Sequence, residues 1–166
     1  MRILEPTTAA LAHEYLALAA QLAGQSTCKR GHCGAVIVSG ETVIGKGYNS
    51  PPRGRETCRH CDISVAPERP RYLYDATCCL HAEWRGIMDA LASQPHLLEG
   101  ATMYFVRIDD AGRWKQETVP YCTTCSRLIL EVGISHVCVW HKAGYGVYGS
   151  QEFDALAYRM HQAAVA

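Results

Sequence analysis

Along the first part of the chain, apolar side chains recur at the spacing of a helix. Leu11, Tyr15, Leu18 and Leu22 follow one another at intervals of four, three and four. That lines one face of an α-helix over residues 8–23, and Gly24 supplies its stop. The period then changes. Residues 34–39 and 42–48 are short β-prone runs separated by Gly40 and Glu41, the pattern of a β-hairpin.

Residues 49–77 break the pattern with Pro51, Pro52, Pro67, Pro70 and five arginines, and are read as a long loop with room for a short helix. A loop of that length in a compact domain is usually functional or pinned. Helical spacing returns over 80–92, with Trp84, Ile87, Met88 and Leu91 on one face. A strand is expected over 102–108, followed by a polar turn at Asp109, Asp110, Ala111 and Gly112. Residues 122–132 read as a helix closed by Gly133, 136–140 as a strand and 145–149 as a glycine-spaced turn. Phe153, Leu156, Ala157 and Met160 mark a last helix. Strands alternating with helices argue for a sheet covered on both faces, and 166 residues suit a single domain over 1–166.

Charge narrows the choice of partner. Sixteen basic residues balance sixteen acidic ones. Proteins that grip phosphate backbones carry a basic excess, so a small substrate is expected and a long nucleic acid is not. No segment has the apolar length of a membrane span or a secretory leader, which makes the cytoplasm the expected location and a membrane partner unexpected.

Nine cysteines change the picture more than charge does. In a reducing compartment they read as metal ligands, thiols or buried apolar residues rather than disulfides. Eight fall into close pairs, and Cys138 stands apart. Cys122 and Cys125 are three apart in the first turn of a predicted helix, so both sulfurs can face one way, toward a helix end that favours thiolate. With His81 at another helix start they supply three of four zinc positions and leave one open, the pattern of a catalytic site. Glu83, two residues from His81, is the candidate proton carrier. The combination His-x-Glu with Pro120, Tyr121 and Cys-x-x-Cys follows a signature of zinc deaminases.

The resemblance goes further. Ser26-Thr27-Cys28-Lys29-Arg30, Gly34-Ala35-Val36-Ile37-Val38, Gly47-Tyr48-Asn49, Cys58 and Cys79-Leu80-His81-Ala82-Glu83 are similar to the deoxycytidylate deaminase family over roughly residues 26–139. The resemblance implies a cytidine deaminase-like fold, a three-layer α/β/α sandwich around a mixed five-stranded sheet. It also implies catalytic zinc, conversion of a cytosine nucleotide (dCMP above all) to the uracil nucleotide, and a homo-oligomer, dimer or hexamer. Asn49 would hydrogen-bond the sugar or base. A second, structural zinc would draw on Cys28, Cys58 and Cys79, with Cys61 as fourth ligand and His60 and Cys78 behind it. Ala82 and Tyr121 are further candidate substrate contacts, and Arg53, Arg55 and Arg30 could clamp a phosphate. Two positions depart from the family pattern: Tyr121 stands between Pro120 and Cys122, and Trp84-Arg85-Gly86 replaces the usual Asn-Ala after the glutamate. Both bear on which substrate is taken.

Plainer readings exist for each residue. Cys122 and Cys125 alone could be a redox pair or half of a structural zinc site. Glu83 could be a helix-start carboxylate and Asn49 a turn residue before Pro51. Loop arginines are commonly solvated, and Cys33, Cys138, Trp84 and Trp140 suit packing roles. Rival functions are deamination of another base, a modified nucleotide or adenine in RNA, and a non-catalytic zinc-stabilised binding module.

Overall fold

The computed structural model describes residues 1–29, 31–57, 78–117 and 122–163. In chain order it contains β1 (Arg2–Ile3), α1 (Pro6–Ala23), β2 (His32–Ser39), β3 (Thr42–Tyr48), α2 (Ala82–Ser93), β4 (Thr102–Ile108), β5 (Trp114–Lys115), α3 (Thr123–Glu131), β6 (His136–His141), β7 (Gly144–Gly149) and α4 (Ser150–Ala163). The sheet runs β1-β7-β6-β4-β2-β3, with β5 beside the end of β4. Only β4 and β6 pair in parallel, joined by the crossover that contains α3; the remaining pairs are antiparallel. No helix among the described residues is long and apolar enough to cross a membrane.

Strand alternation divides β2 between two cores, because successive side chains point to opposite faces. Val36 and Val38 pack with Ala12, Leu16 and Ala19 of α1, Val106 and Cys138. Ala35 and Ile37 pack on the other face with Ala82, Ile87 and Ala90 of α2, Met103, Phe105, Ile129 of α3, Val137 and Val139. The expected three-layer sandwich and mixed sheet are therefore present. Five strands of six to eight residues make its body, and the two-residue β1 and β5 bring the number to seven rather than five.

Three local readings are corrected. The fully buried positions of α1 are Ala12, Leu16, Ala19 and Ala23, one on from the expected Leu11, Tyr15, Leu18 and Leu22, of which Leu11 is exposed and the other three pack partly buried at the edge of the same core. Both sets share the same helical spacing, and close approach decides between them. A Cβ at Gly34 would lie 1.9 Å from the Ala19 carbonyl oxygen, so α1 rests directly on the β2 backbone and only small residues fit there. The same holds for α2, which buries Ala82, Gly86, Ile87 and Ala90 while Met88 and Leu91 are exposed. Here a Cβ at Gly47 would lie 2.2 Å from the Ala82 carbonyl oxygen.

The expected turn at 145–149 is instead β7, an antiparallel partner of β6 with Tyr148 opposite Val137 and Gly146 opposite Val139. Glycine spacing hid the strand, since glycine is disfavoured in strands unless a neighbour comes close. At Gly146 that neighbour is Met1, whose Sδ would lie 3.0 Å from an added Cβ. The hairpin between β2 and β3 is as expected. Gly40 takes φ +59° at its first turn position, the dihedral sign of a type II′ turn.

Candidate active site

Two helix starts converge on one face of the sheet. His81 is the residue before α2, with extended backbone (φ −72°, ψ 155°), and Cys122 holds the same place before α3 (φ −96°, ψ 99°). Both helices were expected to begin at or before these residues, which the structure places in the capping position. Cys122 Sγ fills the role that Ser or Asp oxygen usually takes, accepting the Cys125 backbone N–H at 3.3 Å. The turn that caps α3 therefore also brings the second sulfur beside the first.

The Cys122 and Cys125 sulfurs are 2.9 Å apart, and His81 Nδ1 lies 3.1 Å from Cys125 Sγ and 3.5 Å from Cys122 Sγ. Cys125 is fully buried, His81 and Cys122 partly so. Among the described residues, this is the group of His, Cys, Asp or Glu side chains that could hold a metal ion. Tetrahedral zinc with one nitrogen and two sulfur ligands sets donors roughly 3.5–3.8 Å apart, so the trio needs to open by less than about an ångström. Two soft sulfurs and an imidazole suit zinc, and the residues present fit it.

Electrostatics in the trio follow from shared protons. Hydrogen bonding from Cys125, and then from His81, holds the Cys122 thiol well below its usual value. Cys125 is pushed up because Cys122 holds its proton in place and because it is buried. The bond to Cys122 raises His81 to about 9 against the opposing effect of burial. Glu83, in the first turn of α2, is raised by burial, with the nearby His81 working the other way. A carboxyl whose neutral form is favoured in this way is suited to accept a proton and give it back.

The structure separates the other candidates. Asn49 is buried at the end of β3, and its amide orientation is fixed by its partners. Oδ1 accepts the Cys33 backbone N–H at 2.8 Å and stands 2.7 Å from the Ser26 hydroxyl, while Nδ2 donates to the Gly31 carbonyl at 2.8 Å. Among the described residues, the second Nδ2 proton has no partner. Ala82 is fully buried and packed in the core on this face of the sheet. Arg53 and Arg55 are exposed in the turn after Pro52. Arg85, one of the departures from the family pattern, is committed elsewhere. Its Nη2 donates to the Pro51 carbonyl at 2.8 Å and clamps the segment after Asn49 onto α2.

Cys28 and Cys79 are buried and join no metal-capable group among the described residues. Cys58, Cys61 and Tyr121, with His60 and Arg30, lie outside the described residues. Sequence reading singled out neither Gly31, whose carbonyl receives Asn49 Nδ2, nor Arg107, which the register sets opposite Cys33. Their signal exists only once the pairing of β2 with β4 is known.

Comparison with known proteins agrees with this geometry. The family model for the cytidine and deoxycytidylate deaminase zinc-binding region matches residues 10–141. A deoxycytidylate deaminase of Mycobacterium phage D29 is 33% identical over 128 residues, covering 74% of this chain and 88% of that protein. The deoxycytidylate deaminase of Schizosaccharomyces pombe is 30% identical over 129 residues, 76% of this chain, but the chain spans only 35% of its length. The dCMP deaminase of cyanophage S-TIM5 superposes with a TM-score of 0.54 at 21% identity, covering 83% of this chain and 86% of that one, a likeness of fold. The family match runs from α1 to the end of β6 and takes in both helix starts that build the site, and this chain is therefore a member of the cytidine and deoxycytidylate deaminase family.

Proposed function

We propose that the protein deaminates deoxycytidylate, giving deoxyuridylate and ammonia. The observation that carries this reading is the meeting of His81, Cys122 and Cys125 with the partly buried carboxyl of Glu83 at the start of the same helix as His81. The deoxycytidylate deaminase of Mycobacterium phage D29, covered over 88% of its length, supports the choice of substrate.

His81, Cys122 and Cys125 would hold the metal through one nitrogen and two sulfurs. Zinc supplies Lewis acidity there, making water acidic enough to act as a nucleophile near neutral pH. Glu83 accepts a proton from the attacking water and delivers it to the ring nitrogen next to the reacting carbon. It then carries the second proton to the exocyclic amine, which leaves as ammonia while the ring carbon becomes a carbonyl. Asn49, held rigid by Ser26, Cys33 and Gly31, presents its remaining N–H to the sugar. A purely structural zinc site would give no reason to keep a partly buried carboxyl at Glu83, whose desolvation costs stability.

Incubating the zinc-loaded protein with a pool of cytosine and adenine bases, nucleosides and nucleotides tests the proposal. Ammonia release, with selective loss of the deoxycytidylate amine by mass spectrometry, is the expected outcome. Turnover confined to another member of the pool would overturn the substrate, and silence across the pool would overturn the reaction.

A further inference from the structure

The register of the sheet builds a transverse row of polar side chains just beyond the metal-capable trio. The Asn49 backbone N–H donates to the Cys33 carbonyl at 3.2 Å, Cys33 stands opposite Arg107, and Arg107 stands opposite Lys115. Alternation puts Cys33 on the face of Ala35 and Ile37, and Arg107 on the face of Met103 and Phe105. That face carries α2 and the site. With strands about 4.8 Å apart, the row reaches from Asn49 to Arg107 over two strand spacings, within the span of an extended side chain and a nucleotide's sugar and phosphate.

Arg107 is unusual within the row. It is partly buried, and its Nε is shielded from solvent without a hydrogen-bond partner. Among the described residues, its guanidinium makes no hydrogen bond and no ion pair. It lies flat on Gly31, where an added Cβ would stand 3.1 Å from Nε and 3.2 Å from Nη2. The Gly31 carbonyl is the one that receives Asn49 Nδ2. Arg107 and the candidate sugar-binding amide are therefore fixed to the same peptide. Lys115 is exposed beside it, and Glu117, partly buried two residues on, sets one carboxyl against the two cations. A partly buried guanidinium with no hydrogen-bond partner among the described residues favours an oxyanion.

We infer that Arg107, seconded by Lys115, is the residue that recognises the phosphate monoester of the substrate, in place of the exposed Arg53 and Arg55. The inference rests on the proposed deaminase reading. It makes Arg107 a specificity residue: base at the metal, sugar at Asn49, phosphate at the end of β4.

The test measures kcat/KM for deoxycytidylate and deoxycytidine, and calorimetric binding of deoxyuridylate and deoxyuridine, on the zinc-loaded protein. Arg107→Ala should lower the nucleotide-to-nucleoside ratio of kcat/KM about a hundredfold, the usual scale for losing a shielded charge partner. Arg107→Lys should recover part of it, and Glu117→Gln should raise the ratio. Arg113→Ala, in the exposed turn and bonded among the described residues to Asp109, serves as control and should leave the ratio unchanged. An unchanged ratio in Arg107→Ala, or equal losses on both substrates repeated in Arg107→Lys, would assign Arg107 to strand packing and overturn the inference. Deamination of deoxycytidine, with both products bound equally by the wild type, would overturn the phosphate site and leave the reaction standing. Absent turnover, with deoxyuridylate still held in an Arg107-dependent way, would sink the reaction and support the site.

Discussion

The two faces of the sheet share the same strands and solve different problems. On one face α1 lies on β2 and β4, and its fully buried contact is Ala12, Leu16 and Ala19 against a bare glycine backbone, with Tyr15, Leu18 and Leu22 partly buried around it. On the other, α2 and α3 also pack on small residues, but their first turns meet at one place and bring His81, Glu83, Cys122 and Cys125 together. Close packing serves stability on the first face. On the second it also sets the position of reactive groups, because a helix that touches the sheet backbone at Gly47 cannot slide or tilt without moving His81. The difference teaches that the catalytic face depends on where its helices begin, whereas the α1 face depends on what its helix buries.

Substitutions on the two faces should therefore fail in different ways. The largest effect is expected at Cys125→Ser. A fully buried ligand is lost, and zinc content by atomic absorption should fall to background while deamination drops below detection. A variant that keeps full zinc and activity would remove Cys125 from the site. Glu83→Gln should come next, slowing turnover by about 10²–10⁴-fold with zinc retained and no fall in melting temperature. Parallel loss of zinc would show instead that Glu83 acts on the metal site's integrity.

On the opposite face, Gly34→Ala should destabilise by about 3 kcal/mol or more, since the new methyl would meet the Ala19 backbone. Protein that remains folded should keep its kcat, and a selective loss of kcat would contradict the separation of the two faces. Leu16→Ala should cost about 2–5 kcal/mol in urea unfolding. Leu11→Ala, one turn away on the exposed side, should stay within about 0.5 kcal/mol. Equal costs for the two leucines would return the helix to the face that periodicity first suggested.

How much was legible follows from the kind of information each feature needs. Helix and strand positions were readable, because period and punctuation are local. Which face α1 buries was not: residues 11, 15, 18 and 22 have the same spacing as 12, 16, 19 and 23, and alanine is as apolar as the argument requires. The β7 strand was missed because three glycines in six residues mimic a turn. The metal-capable trio was legible because metal binding demands particular residue types at short spacing, and two helix starts supplied that spacing. Arg107 was not legible, since nothing local distinguishes it from other arginines.

By itself the sequence determined the metal-capable donor set, the family and the alternation of elements that gives an α/β sandwich. These depend on residue identity and on neighbours a few positions apart. The tertiary structure alone decided which helix faces are buried, that Asn49 is bonded to Ser26, Cys33 and Gly31, that Arg85 is occupied, and that Arg107 lies in line with Asn49. Those facts depend on strand register and on the distance between backbones, and register is set by the packing of the whole sheet rather than by any one segment.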